Sequence, residues 1–357
     1  MIAGGGTGGH IFPALALAEA FQDRDRHNEI LFVGSRRGME SKILAPAGNS
    51  WRTIEVSSLK GKSFWGKVRS LMTVPRSLWQ SFRLLRSFRP DVVIGVGGYA
   101  SGPVVLAAWA LGIKTAVQEQ NAFPGLSNRL LGRFVNRAFI SFAGSTRYFP
   151  RGKVRLTGNP VRKKIRPGAH PSSGKDAPFT VLIFGGSQGA HPLNRAVTEA
   201  LQHLQEFRGW LRLIHQTGEA DFEEMKRAYQ GRGFTAEVYA FIREMDRAYT
   251  EADLVLCRAG ATTLFELMAM GKPAILVPYP YAADGHQMLN AQTLADAGGA
   301  LLIPEKELSG EKLAQVLKQL VREPARLREM GRRSAALSKP EAGREIVNLC
   351  YEMVGHA

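Results

Sequence analysis

The chain has 357 residues, 45% hydrophobic and 22% charged, enough for about two globular domains that each bury a core. Cys257 and Cys350 give neither a disulfide framework nor a metal-ligand spacing and suit a reducing cytoplasm, and no apolar run reaches the roughly 20 residues that span a bilayer. A formal charge of +16 asks for an anionic partner, whether nucleic acid, an anionic membrane surface or a phosphorylated substrate.

The first residues, Met1, Ile2 and Ala3, must form the strand ahead of the glycine cluster Gly4-Gly5-Gly6-Thr7-Gly8-Gly9. Three residues make a poor central strand, so the natural start is expected a few residues upstream. No basic segment precedes an apolar one there, and no signal peptide is expected. Short apolar runs then recur at 29–35, 91–98, 114–120, 180–187, 211–218, 253–260 and 273–280, several ending in glycine, with helical patterns between them. Strands apolar on both faces are those of buried parallel sheets, so the fold class is α/β. The stretch 157–178 crowds proline, glycine, serine and charge without periodicity and marks the domain boundary. The strand after it, "TVLIFGGSQGA", repeats the logic of the first loop. Two doubly wound, Rossmann-like domains are expected, their glycine loops facing a cleft.

Gly4, Gly6 and Gly9 match G-x-G-x-x-G, but Gly34 and Ser35 stand where a dinucleotide site needs an acid for the ribose. The glycines either allow a tight turn or admit a phosphate to a helix N-terminus. Three such loops favour the second reading: this one, "GVGGYASGP" (95–103) and "GGSQGA" (185–190). In "RAGATTLFELMAMGKPAILVPYP" (258–280), Ala261, Thr262 and Thr263 open a helix. Glu266, taken to lie in its first turn or so, is either a cap or the acceptor for ribose hydroxyls. His286 and Gln287 in "DGHQMLNA" are placed for a sugar or a diphosphate.

These stretches, with "EQNAFPGLSNRLL" (119–131) and "GNPVR" (158–162), occur in this order over nearly the whole chain. Together they resemble the MurG family of bacterial N-acetylglucosaminyltransferases. The resemblance implies a GT-B fold with an acceptor domain (1–160, joined by a C-terminal helix within 337–357) and a donor domain (161–336). It implies an inverting hexosyltransferase that moves N-acetylglucosamine from UDP-N-acetylglucosamine to the muramic acid C4 hydroxyl of lipid I. No obligatory metal or cofactor is implied. Carried over position by position, the donor contacts are Thr7, Gly8, Gly9, Asn121, Arg162, Ser187, Ile242 (through its backbone, on the uracil), Ala261, Thr262, Thr263, Leu264, Glu266 and Gln287. Tyr99 and Ser101 fall in the acceptor loop. The family usually has histidine where this chain has Gln118, which removes a catalytic role from that position. His286 stands where glutamine is common.

Such a displacement needs a base and a charge-stabilised leaving group. His10 is the candidate base, since an imidazole accepts protons near neutral pH; the alternative is that it only bonds a phosphate or caps its helix. Glu119 is the second candidate, or else a partner for nearby loop N–H groups. Residues 60–89 interleave eight basic residues with apolar ones and no acid. Phe64, Trp65, Lys67, Trp79 and Arg83 are taken as a face for an anionic membrane, although Trp79, Phe82 and Leu85 have the spacing of a core stripe. Nothing resembles an RNA-binding motif, so nucleic acid is not expected. The expected location is peripheral, on the cytoplasmic face of the bacterial plasma membrane, with other cell-wall synthesis proteins as partners. The rival readings are a UDP-N-acetylglucosamine 2-epimerase, another glycolipid transferase of the same fold, and a non-catalytic nucleotide-sugar binder.

Overall fold

A computed structural model describes residues 1–35, 50–56, 73–167 and 178–355. It divides into two compact units: Met1–Lys163 with Lys339–Ala357, and Lys164–Ser338.

Unit 1 holds β1 (Ile2–Ala3), β2 (Phe32–Ser35), β3 (Trp51–Ile54), β4 (Val92–Gly95), β5 (Lys114–Glu119), β6 (Arg137–Ile140) and β7 (Val154–Leu156). They form one sheet in the order β3-β2-β1-β4-β5-β6-β7, every pair parallel. The short first strand is central after all. Ile2 pairs with both Phe32 and Ile94, so neighbours on both sides compensate for its length. Ile2 and Ala3 point into opposite core layers. One layer holds Ile11, Leu17 and Val347; the other holds Leu85, Val104 and Val105. Apart from Val347, which the C-terminal helix supplies, these residues come from helices α1 (Gly8–Arg24), α2 (Val74–Phe88) and α3 (Ser101–Ala110). A short α4 (Leu126–Leu131) follows β5.

Unit 2 repeats the plan. β8 (Phe179–Phe184), β9 (Leu211–Gln216), β10 (Thr235–Tyr239), β11 (Leu254–Cys257), β12 (Ala274–Leu276) and β13 (Ala300–Leu302) form a sheet in the order β10-β9-β8-β11-β12-β13, again parallel. Its helices are α5 (His191–His203), α6 (Phe222–Arg232), α7 (Met245–Glu251), α8 (Ala261–Met270), α9 (His286–Asp296), α10 (Gly310–Arg322) and α11 (Pro324–Ala336). The chain then returns to unit 1, where α12 (Ala342–Val354) lies on α1. The Phe21 and Tyr351 rings stack there at 6.5 Å, and Asn28 Nδ2 donates to the Tyr351 hydroxyl at 2.9 Å.

In both sheets the order reverses beside the first strand. Ligands of open α/β sheets bind at that point, beyond the carboxyl ends of the strands. In unit 1 the loops after β1 and β4 lie there, and in unit 2 the loops after β8 and β11.

Candidate active site

In unit 1 the loops after β1 and β4 touch backbone to backbone. A Cβ on Gly98, whose φ is +83°, would run into the Gly5 carbonyl oxygen. His10, in the first turn of α1, lies half-buried on the second of these loops. A Cβ on Gly97 would come within 2.8 Å of its Cε1 and 2.9 Å of its Nδ1. Its Nδ1 is 3.3 Å from Gln120 Oε1. The ends of β1, β4 and β5 therefore meet at this imidazole. Thr7 is the extended N-cap of α1, its side chain making no cap bond. Gly8 and Gly9 follow in the first turn, where helical N–H groups have no intrahelical acceptor.

Glu119 is 1% exposed and staples the loop that follows it. Its Oε1 accepts from the Asn121 N–H at 2.9 Å and from Asn121 Nδ2 at 3.2 Å. Its Oε2 accepts from the Gly125 N–H at 3.0 Å and Asn128 Nδ2 at 2.9 Å. Burial pushes its carboxyl above the ordinary range, against those hydrogen bonds. All four contacts lie within residues 119–128, so Glu119 ties the start of α4 and the loop before it to the end of β5. Arg162, expected in the donor domain, belongs to unit 1; its guanidinium lies 4.4 Å above the Phe12 ring.

The acceptor-loop residues separate. Tyr99 is 46% exposed, whereas Ser101 is fully buried. The Ser101 hydroxyl fills the space a side chain on Gly95 would need, so Ser101 packs α3 onto β4. The basic stretch separates as well. Leu85 is core and Phe82 packs against it, whereas Trp79 is 59% exposed with the Arg83 guanidinium 5.7 Å over its ring. Arg76 is paired with Glu55 at 3.0 Å. Phe64, Trp65 and Lys67 lie outside the described residues.

In unit 2, α8 starts directly after Gly260, its N-cap, which makes no side-chain cap bond. The first-turn N–H groups of Ala261, Thr262 and Thr263 thus point out of the helix at the carboxyl edge of β11, where its dipole favours an anion. Leu264 does not join them: its N–H donates to the Gly260 oxygen at 3.0 Å and its side chain is fully buried. Glu266 lies in the second turn, too far along to cap, and accepts from the Tyr249 hydroxyl at 3.0 Å. The cap reading is therefore removed. Ser187 is half-buried in the loop after β8.

The backbone of Ile242 is expected on a base; its N–H donates to Gln216 Oε1 at 2.8 Å. Gln216 Nε2 donates to the Gly186 oxygen at 2.7 Å. This amide ties the loop after β10 to the loop after β8. Gln287 Oε1 accepts from the Tyr279 N–H at 2.9 Å, and His286 Nδ1 lies 2.6 Å from the Ala283 oxygen.

Sequence reasoning missed the buried polar residues behind the loops. Arg258, 6% exposed, donates to the Val277 and Pro278 oxygens at 3.1 and 3.3 Å and pairs with Glu305. Gln120 and Gln216 do comparable work, and nothing at the ends of strands that also carry Thr115, Glu119, Arg212 and His215 singles them out. An Asp-x-Asp spacing also occurs, Asp23-Arg24-Asp25. It sits at the end of α1, where Asp23 pairs with Lys163 and Asp25 with His27 at 2.9 Å. Among the described residues, no three His, Cys, Asp or Glu side chains gather as a metal site.

Residues 1–140 match the glycosyltransferase family 28 N-terminal domain and residues 180–346 its C-terminal domain. A curated relative from Myxococcus xanthus, named UDP-N-acetylglucosamine–N-acetylmuramyl-(pentapeptide) pyrophosphoryl-undecaprenol N-acetylglucosamine transferase, is 48% identical over 99% of this chain and 92% of its own. The crystal structure of MurG from Acinetobacter baumannii is similar with a TM-score of 0.79 at 32% identity, covering 99% of both chains. A crystal structure of a UDP-N-acetylglucosamine 2-epimerase covers 100% of this chain and 96% of its own with a TM-score of 0.70, but at 15% identity that likeness is one of fold alone.

Proposed function

The chain belongs to glycosyltransferase family 28, and from that premise we propose that it moves N-acetylglucosamine from UDP-N-acetylglucosamine to the C4 hydroxyl of muramic acid in undecaprenyl-pyrophosphoryl-MurNAc-pentapeptide. Lipid I becomes lipid II, a step of peptidoglycan synthesis on a GT-B fold. The observation that carries this is end-to-end similarity to transferases of that name, where the epimerase shares only the fold.

In a single displacement the C4 oxygen bonds to C1 of N-acetylglucosamine while the bond from C1 to the phosphate oxygen breaks. UDP leaves with the electron pair, and the configuration inverts. The hydroxyl proton passes to His10, which unit 1 supplies. Unit 2 holds the donor: the first-turn N–H groups of α8 and the loop with Ser187 take the diphosphate, Glu266 accepts from the ribose hydroxyls, the Ile242 carbonyl meets the base and Gln287 lies by the sugar. With those N–H groups carrying the leaving charge, the proposal needs no metal.

Lipid I stays in a bilayer, and among the described residues no helix is long and apolar enough to cross one. We place the protein peripherally on the cytoplasmic face of the plasma membrane, with the exposed side of α2 at the surface. Trp79 and Arg83 combine an apolar ring with charge, as an anionic lipid surface requires.

The test is UDP release from UDP-N-acetylglucosamine with and without a lipid I analogue. Acceptor-dependent release is expected; release that ignores the acceptor, or conversion of the donor sugar alone, overturns the transferase reading in favour of an isomerase or hydrolase.

A further inference from the structure

Three buried amides line up behind His10. Gln118, Gln120 and Asn159 are each no more than 1% exposed. Gln120 Nε2 lies 2.8 Å from the Val96 backbone oxygen and 3.4 Å from the Gln118 backbone oxygen. It also donates to Gln118 Oε1. Gln118 Nε2 in turn donates to Asn159 Oδ1 at 3.0 Å and to the Ser141 hydroxyl at 3.4 Å.

The two ends of an amide look alike in outline, but its partners distinguish them. A backbone carbonyl can only accept. The nitrogen of Gln120 must therefore face Val96 and Gln118, and its oxygen must face His10. An amide oxygen also can only accept, so the hydrogen of that contact sits on His10 Nδ1. On one side the ring lies against Gly97, so close that a side chain there would meet it.

We propose that Gln120 holds the His10 imidazole as its Nδ1–H tautomer, which puts the lone pair on Nε2, and that Gln118 and Asn159 lock Gln120 in that orientation. Gln120 is a positioning residue: it acts on the acceptor sugar only through the ring. The proposal deepens the reading of His10 as proton acceptor and rests on that reading for its catalytic meaning, while the tautomer stands on hydrogen-bond geometry. A carbonyl orients the ring without adding the negative charge of the carboxylate in a Ser-His-Asp arrangement.

The experiment is long-range proton–nitrogen correlation NMR on the full chain labelled with ¹⁵N-histidine, at alkaline pH, with His10→Ala assigning the ring signals. In the wild type, Nδ1 should carry the proton signature and Nε2 the unprotonated one. In Gln120→Leu the His10 signals should move toward the opposite tautomer or a mixture. That variant's kcat should drop about 10–100-fold, as is typical when a metal-ligating histidine loses the partner that orients it, with the KM for UDP-N-acetylglucosamine changed less than about twofold. A wild-type ring protonated on Nε2 overturns the proposal, even if Gln120→Leu fails to fold. Wild-type turnover in a folded Gln120→Leu overturns the positioning role. Failure of the transferase reading appears elsewhere, as UDP release that ignores the acceptor, and leaves the ring spectrum as it was.

Discussion

The two units place histidines in matching frames and treat them oppositely. In unit 1, His10 is half-buried at the carboxyl edge of its sheet, against a neutral amide. In unit 2, the helix after β8 begins with His191, exposed and 3.1 Å from the Asp221 carboxylate. The strand beside β8 carries His215, fully buried, with Nδ1 2.7 Å from the Tyr229 hydroxyl and Nε2 3.0 Å from Asn194 Oδ1. Burial brings that ring down to about 3, so it stays neutral and both nitrogens serve the core. The residue type does not set the role. Access and the chemistry of the partner do: an edge position with an acceptor on one side suits proton transfer, and a sealed one suits packing.

The sharpest way to break the comparison is His10→Ala. Loss of a general base predicts a fall in kcat of about 10²–10⁴-fold with donor KM nearly unchanged, read by steady-state UDP release. Near-normal turnover would put His10 in the same class as His215.

The second test concerns stability. The unfolded chain takes a proton on a histidine near pH 6.5, and native His215 takes one only near about 3. Stability from this site is therefore complete above 6.5 and lost as the pH falls through that window, by roughly 1.4 kcal/mol per unit. Urea midpoints measured across it should fall steeply in the wild type and less steeply in His215→Gln. Equal slopes would mean the ring is not sealed as described.

Glu266→Ala sharpens the donor side. Removing a carboxylate that acts in ground-state binding should raise the KM for UDP-N-acetylglucosamine about 10–100-fold and leave kcat less affected. A kcat effect without a KM effect would move Glu266 into the chemical step.

The smallest expected effect is at the surface. Each charge near an anionic membrane is worth about fivefold in binding, so Arg83→Glu should weaken co-sedimentation with anionic liposomes at low salt by one to two such factors. Binding as strong as wild type would remove α2 from the proposed membrane face.

The sequence made the sheets legible where strands are buried on both faces. Runs such as "TVLIFGGS" and "DLVLCRAG" became β8 and β11 because their buried side chains are almost all apolar. It hid β3 and β10, whose side chains are largely half-exposed or exposed and break the apolar signal. It hid β7 and β13, three-residue strands that, unlike the equally short but fully buried β12, have mostly half-exposed or exposed side chains. The glycine loops were legible because tight turns at strand ends leave a compositional mark. Which of their residues turn inward was not: Ser101 is the first residue of its helix and Leu264 the fourth, and the 100° rotation per residue carries both side chains into the core. The amides of Gln120 and Gln216 were invisible for another reason. Their role depends on carbonyls brought in from distant strands, and no local pattern records that.

The contact between Gly5 and Gly98 has a consequence for mutational tolerance. A Cβ at Gly98 meets a backbone oxygen, as one at Gly189 meets the Thr217 oxygen, and a backbone cannot step aside as a flexible side chain can. A saturation scan scored for growth or fold should therefore find both positions as closed to alanine as to tryptophan. Gly102, where a Cβ meets nothing within 4 Å, should accept alanine freely. The scan would thus trace the places where one loop serves as the wall of the next.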